Sequence, residues 1–330
     1  MKSWYLKITL FVSCLMLVGC NQVLNTNETE DQIKVGVLLA DDGLGDHSFN
    51  DTAFLGLMKA RDELGIMFDY RDLSISTSFK DGLLELIEGQ YDLIIGLGYT
   101  MKDDFEAIAL EFPEQVFLYI DETVDLPNVT SITFNEYEGS YLVGIIAGMK
   151  TETDSIGFLG GMDAPVINRF KEGFISGVTA VNANARINAE YAGSFGDPEI
   201  GRQMVSTMVD EMNVDVVFPA AGYTGLGALE EAVAKGIFAI GVDTDQYYLA
   251  EKAVITSMLK NVDVAIYTVI KELVETGGIA KKHIQLGIVE NGVGLSQIRL
   301  ISLSEQEQKQ LDILTGQLIH STGTLFRIEE

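Results

Sequence analysis

Two apolar, β-branched runs of this chain end in a carboxylate, Phe117-Leu118-Tyr119-Ile120-Asp121 and Ala239-Ile240-Gly241-Val242-Asp243. A third run, Ile33 to Leu39, opens into an acidic loop, Asp41 to Asp51, that carries Phe49 and Asn50. A fourth leads through Gly160-Gly161 to Asn168-Arg169-Phe170 and on to Phe174. A carboxylate at the end of a strand can accept two hydrogen bonds from vicinal hydroxyls, and aromatic faces stack on flat rings. One crevice supplying both suits a sugar or a nucleoside. Each feature also has a plainer reading: Phe49 packs under its own loop, Asp121 caps a helix or turns a solvated loop, and Ser48 caps the helix that follows it.

Catalytic patterns fail by comparison. His47, His283 and His320 are far apart and form no helical pair, so no zinc or non-haem iron site is expected. There is no G-x-S-x-G elbow and no G-x-x-x-x-G-K-[ST] phosphate loop. The glycines of Ala221-Gly222-Tyr223-Thr224-Gly225-Leu226-Gly227 follow a strand, but their spacing is wrong for a dinucleotide turn. They read as a loop approaching a ligand closely. Asp41-Asp42 superficially resembles the acidic calcium motif of nucleoside hydrolases and lacks the remaining ligands. The expectation is a binding protein, not an enzyme, with no cofactor and no metal.

The elements that must position these residues follow from hydrophobic patterning. Continuous apolar runs at 33–39, 92–97, 116–120, 129–134, 155–159, 214–220, 237–242 and 253–259 indicate strands covered on both faces. Stretches of helical period lie between them, at 53–64, 79–88, 102–111, 137–149, 165–178, 199–212, 225–235 and 262–275. Alternation throughout gives the α/β class with doubly wound parallel sheets. A single eight-fold barrel would satisfy the same count. Two domains are preferred because the pattern breaks after Phe134 and restarts at Ser155.

The amino end carries Lys2 and Lys7, then an apolar run from Ile8 to Val18, then Gly19-Cys20. This is a secretory signal, too short to span a bilayer stably. Leu17-Val18-Gly19-Cys20 resembles a lipobox, which implies a signal peptide over 1–19 and a fatty-acylated Cys20. Cys14 leaves with the signal, so the folded part holds no free thiol. Residues 20–32 are polar, a solvated tether. A net charge of −27 excludes nucleic acid, whose phosphates demand basic faces, and excludes an electrostatic grip on anionic lipid.

Five stretches in order resemble the basic membrane protein family of purine-nucleoside-binding lipoproteins of ABC transporters. They are Gly45-Asp46-His47-Ser48-Phe49-Asn50, Glu138-Gly139-Ser140-Tyr141-Leu142-Val143-Gly144, the Gly160-Gly161 to Phe174 segment, Ala220-Ala221-Gly222-Tyr223-Thr224-Gly225, and Gly241-Val242-Asp243-Thr244-Asp245-Gln246. The resemblance implies the type I periplasmic-binding-protein fold, two lobes joined by a three-strand hinge, with 33–134 plus 261–287 in one lobe and 135–260 plus 288–330 in the other. It implies that Phe49 stacks on the base and Asn50 hydrogen-bonds it, with Asp121 at the polar edge of the purine. Phe170 closes the stack from the second lobe and Phe195 lines the cleft. Gly222 lets backbone approach the ligand, Asp243 accepts the ribose hydroxyls and Lys260 donates from the hinge side. The partners implied are a purine nucleoside, permease subunits, and the membrane through the lipid, with the protein a monomer on the extracytoplasmic side of the cell membrane. Ala40, Asp51 and Phe54 stand where family members often carry Asp, Gln and Trp, and no ligand contact is assigned to Asp41 or Asp42. A membrane-tethered regulatory or sensor lipoprotein would use the same fold.

Overall fold

The computed structural model describes residues 32–325; the signal peptide, Cys20 and most of the tether lie outside them. The strands are β1 (Lys34–Leu38), β2 (Met67–Arg71), β3 (Leu93–Leu97), β4 (Phe117–Ile120), β5 (Val129–Phe134), β6 (Ser155–Gly160), β7 (Arg186–Tyr191), β8 (Val216–Ala220), β9 (Phe238–Asp243), β10 (Val254–Lys260), β11 (His283–Leu286) and β12 (Val293–Leu295). The helices are α1 (Phe49–Leu64), α2 (Phe79–Glu88), α3 (Lys102–Glu111), α4 (Glu136–Lys150), α5 (Pro165–Val181), α6 (Pro198–Met212), α7 (Gly222–Lys235), α8 (Val262–Thr276) and α9 (Glu305–Leu325).

The strands form two six-stranded sheets, ordered β11-β5-β4-β3-β1-β2 and β12-β10-β9-β8-β6-β7. Every pair is parallel except β10 with β12. Two separate sheets rule out the closed barrel. We assign each sheet and its helices to one lobe. The chain passes between the sheets three times, at 134–136, 260–262 and 286–293. These crossings are tied to one another: Asn135 N–H donates to Leu286 O at 2.9 Å, Asn261 N–H to Gly292 O at 2.8 Å, and Ile288 N–H to the Glu138 carboxylate at 2.8 Å.

The central strands carry the continuous hydrophobicity read from the sequence; β3, β4 and β8 are buried along their whole length. β2, β7 and β11 lack it because they are sheet edges. Each holds charged or polar side chains and alternates between exposed and half-buried positions, as an edge facing water on one side should. α9 also lies outside the stretches read above, although Leu311, Leu314 and Leu318 recur at the spacing of one helical face.

In the second lobe α4 and α5 pack backbone to backbone. A methyl group on Gly144, Gly173 or Gly177 would fall onto main-chain atoms of the opposite helix. The equivalent strand orders put the switch point, where successive strands begin to be added on the other side, between β1 and β3 in one sheet and between β6 and β8 in the other. Open α/β sheets bind ligands outside the carboxyl ends of the strands at such points. Here the two points face each other across one cavity.

Candidate functional site

The cavity encloses about 670 Å³ of space, counting the solvent at its open mouth. Ala40, Asp41, Asp42, Asp46, Phe49, Asn50, Gly98, Tyr99, Thr100 and Asp121 line it from the first sheet's side. Val166, Ile167, Phe170, Phe195, Ala220, Ala221, Gly222, Val242, Asp243 and Lys260 line it from the second. All eight residues expected from the sequence are therefore brought to one cavity.

Asp121 and Asp243 occupy equivalent places, at the ends of β4 and β9. Both hold left-handed backbone, with φ of 84° and 64°. Aspartate tolerates this better than most residues, but it still costs energy, and such positions cluster at functional sites. Asp121 Oδ1 lies 2.6 Å from Lys260 Nζ, which also reaches Glu136 Oε1 at 3.2 Å. Glu136 in turn accepts from Arg169 Nε at 2.7 Å. Lys260 is 2% exposed and Glu136 fully buried. Burial opposes the lysine's charge, yet Asp121, Glu136 and Asp243 together hold its pKa above the ordinary value. Burial pushes Asp243 up to about 6, against the pull of Lys260 and a hydrogen bond from Ser48. Burial also raises Asp121, with Lys260 opposing and Glu136 adding to the rise. Three carboxylates thus share two cations, and acceptor lone pairs are left for a ligand's hydroxyls.

Aromatic rings surround the ammonium. Lys260 Nζ lies 5.1 Å from the centroids of Phe49 and Phe134 and 5.7 Å from Phe170, inside cation–π range. Phe170 is 3% exposed. Phe195 meets Tyr99 edge-on across the cleft at 6.5 Å. The loop of Phe195 is held by Thr224, whose N–H donates to Phe195 O at 2.6 Å and whose Oγ1 donates to Ser194 O at 3.0 Å. Gly222, at φ 54°, opens α7 beside the Phe195 ring, where a left-handed first helical residue favours glycine.

The loop after β1 departs from expectation. Phe49 is the first residue of α1, not a loop tip, and Ser48 makes no cap hydrogen bond; its Oγ donates to Asp243 across the cleft. Asp46 caps instead, accepting from the N–H groups of Ser48 at 2.9 Å, Asn50 at 2.8 Å and Asp51 at 3.1 Å. Burial raises the Asp46 pKa while these bonds lower it. Asn50 lines the cavity, but its oxygen accepts from Ala40 N–H at 2.9 Å and its Nδ2 donates to Asp46 at 3.1 Å. One amide hydrogen remains for a ligand. A second bond across the cleft runs from Gln246 Nε2 to His47 O at 3.0 Å.

Reading the sequence missed Tyr99, Glu136 and Asp42. Tyr99 stands two residues past the end of β3 and is the kind of strand-end aromatic counted elsewhere. Glu136 is the first residue of α4, and nothing beside it in the sequence marks it. Asp42 lines the mouth with its carboxylate turned toward Gly196 of the opposite lobe. Burial, then Asp41 and Asp46, push its pKa up to about 6. Among the described residues no cluster of three or more His, Cys, Asp or Glu side chains is arranged to hold a metal.

The family profile described as ABC transporter substrate-binding protein, PnrA-like, matches residues 33–323. The chain belongs to this family. A CD4+ T-cell-stimulating antigen of Listeria monocytogenes is 36% identical over 82% of this chain and 84% of its own length. Basic membrane protein A of Borreliella burgdorferi is 33% identical over 86% and 85%. An ABC transporter solute-binding protein of Aeropyrum pernix superposes with a TM-score of 0.79 at 30% identity, covering 88% of this chain and 92% of the other. A structure titled as a transcriptional activator of the comK gene, from Bacillus halodurans, shares the fold with a TM-score of 0.73 at 23% identity. Membership of the PnrA-like family gives this chain a solute-binding role in ABC transport and the periplasmic-binding-protein-like fold. Among the described residues no helix is long and apolar enough to cross a membrane.

Proposed function

We propose that the cavity binds a purine nucleoside and that the protein, acylated at Cys20, delivers it to a permease on the extracytoplasmic face of the membrane. The observation carrying this reading is that one cavity combines Phe49 from one lobe with Phe170 and Phe195 from the other, beside the buried group Asp121, Asp243 and Lys260. Aromatic faces recognise the flat base, at about 1 to 3 kcal/mol per stacked face. Acids in the floor accept the ribose hydroxyls, and a deoxy analogue leaves a buried acceptor unfilled.

We read Asp121, bound to Lys260 on the floor, as sharing the ribose end with Asp243 instead of meeting the purine edge. Phe49 and Phe170 both flank Lys260; on this reading the sugar lies below the rings and the base edge faces the mouth. The lobes are held together across the cleft by Ser48 with Asp243, His47 with Gln246, and Asp121 with Lys260, so release requires hinge opening.

Isothermal titration of ligand-free protein with guanosine, inosine, adenosine and ribose tests the reading. Nucleosides should bind far more tightly than ribose, and equal binding would remove the stacking assignment. Native mass spectrometry of freshly purified protein should find a nucleoside mass retained.

A further inference from the structure

The two ends of the cavity differ in how their acids are satisfied. On the floor, Asp121, Glu136 and Asp243 have partners within the protein. At the mouth, Asp42 lines the same cavity with part of its surface in solvent, and has no hydrogen-bond or ion-pair partner among the described residues. Its Oδ1 is turned toward Gly196 of the opposite lobe. With the ribose on the floor, what reaches Asp42 is the outer edge of the base. This step rests on the nucleoside reading above.

We propose that Asp42 selects the base, its carboxylate accepting two parallel hydrogen bonds from the ring N1–H and the exocyclic amino group of a guanine-type base. A carboxylate has two acceptor oxygens and no donor. Guanine offers two adjacent donors, hypoxanthine one, and adenine a donor beside an acceptor lone pair. Charge-assisted, two-point contacts are the strong and selective ones, and a site built for them rejects a ligand that leaves an acceptor unpaired. The order is guanosine, then inosine, then adenosine.

The surroundings of Asp42 make the order depend on pH. The groups around it are Asp41 and Asp46 of its own loop, Asp72 packed against Gly43, Tyr99 after β3, and Asp197 beside Gly196. Partial burial and the two nearest acids, Asp41 and Asp46, push the Asp42 pKa up to about 6. Protonated, it becomes a donor and an acceptor side by side, the complement of adenine.

The test is titration of the full-length purified protein, freed of bound small molecules, with guanosine, inosine and adenosine at pH 7.5 and pH 5. Asp42→Asn is measured alongside, with circular dichroism to confirm folding. Ratios between nucleosides are read because Asp243 also titrates near pH 6 but meets the sugar common to all three. At pH 7.5 the wild type should prefer guanosine to inosine by about ten-fold, the value of one charge-assisted bond, and adenosine should bind weakest. The guanosine-to-adenosine ratio should fall at pH 5. In Asp42→Asn it should be small and indifferent to pH. A wild type that binds all three equally, or a variant that keeps the wild-type order, overturns the assignment while leaving nucleoside binding intact. If no nucleoside binds either folded protein, the nucleoside reading falls and this inference with it.

Discussion

The floor and the mouth of the cavity use the same side-chain types in opposite ways. On the floor, Lys260 is enclosed by Asp121, Glu136 and three phenyl rings, and Arg169 completes the pairing of Glu136. At the mouth, Asp41, Asp42 and Tyr99 have few partners, and the opposite wall is one ring and glycine backbone. A buried charge network is destabilising when half satisfied, so its geometry is fixed before any ligand arrives. An unpaired rim leaves its hydrogen bonds to be made by the ligand. The floor accordingly holds what all ligands of a class share, and the rim discriminates among them.

The harshest way to break this contrast is Lys260→Met. It leaves Asp121 buried without its cation and Glu136 with Arg169 alone, and loss of one partner from such a pair costs about 3 to 5 kcal/mol. Urea denaturation should show that loss, with nucleoside affinity abolished; a stability change below about 1 kcal/mol would mean the network is not the frame described. Phe49→Ala comes next, removing one stacking face and about 1 to 3 kcal/mol of binding, read by calorimetry. Unchanged affinity would reduce Phe49 to packing.

Proton linkage sharpens the comparison. Asp243 has a folded-state pKa raised to about 6 from 3.8, so its contribution to stability is fully present below about pH 4 and is lost as pH rises through about 6. Ligand-free protein should gain melting temperature on going from pH 7 to 5 through this group. Hydroxyls donating to the carboxylate favour its ionised form, so nucleoside binding near pH 6 should release protons. Titration in buffers of different ionisation enthalpy measures this, and Asp243→Asn should remove the floor's share. Ser48→Ala should have the smallest effect, roughly 1 kcal/mol for a lost hydrogen bond across the cleft, seen as a few-fold faster ligand release in stopped flow.

Much of the site was legible because it sits where chain patterns change. Asp121 and Asp243 close apolar runs, and the Gly160-Gly161 turn announces the helix that carries Phe170. The central strands were legible for the same reason, being apolar on both faces. What was hidden depends on partners distant in sequence. Nothing local to Glu136 reveals that Arg169 and Lys260 converge on it. Asp42 is one acid among several until Gly196 is brought against it from the other lobe. Ser48 has the sequence of a cap and spends its hydroxyl on Asp243 instead. Edge strands were lost because water, not protein, covers one side of them.

The three crossings between the sheets have a mechanical consequence. Each is bonded to a neighbour, Asn135 to Leu286, Asn261 to Gly292, and Ile288 to Glu138, while Glu136 and Lys260, joined at 3.2 Å, flank the first two. A joint fastened in this way turns without sliding. Displacement then grows with distance from the joint, so a rotation that barely stretches the Lys260 to Asp121 pair separates Asp42 from Gly196 and His47 from Gln246 first. An opening rotation would have its fulcrum at the charged floor, and the weak contacts at the rim would travel furthest.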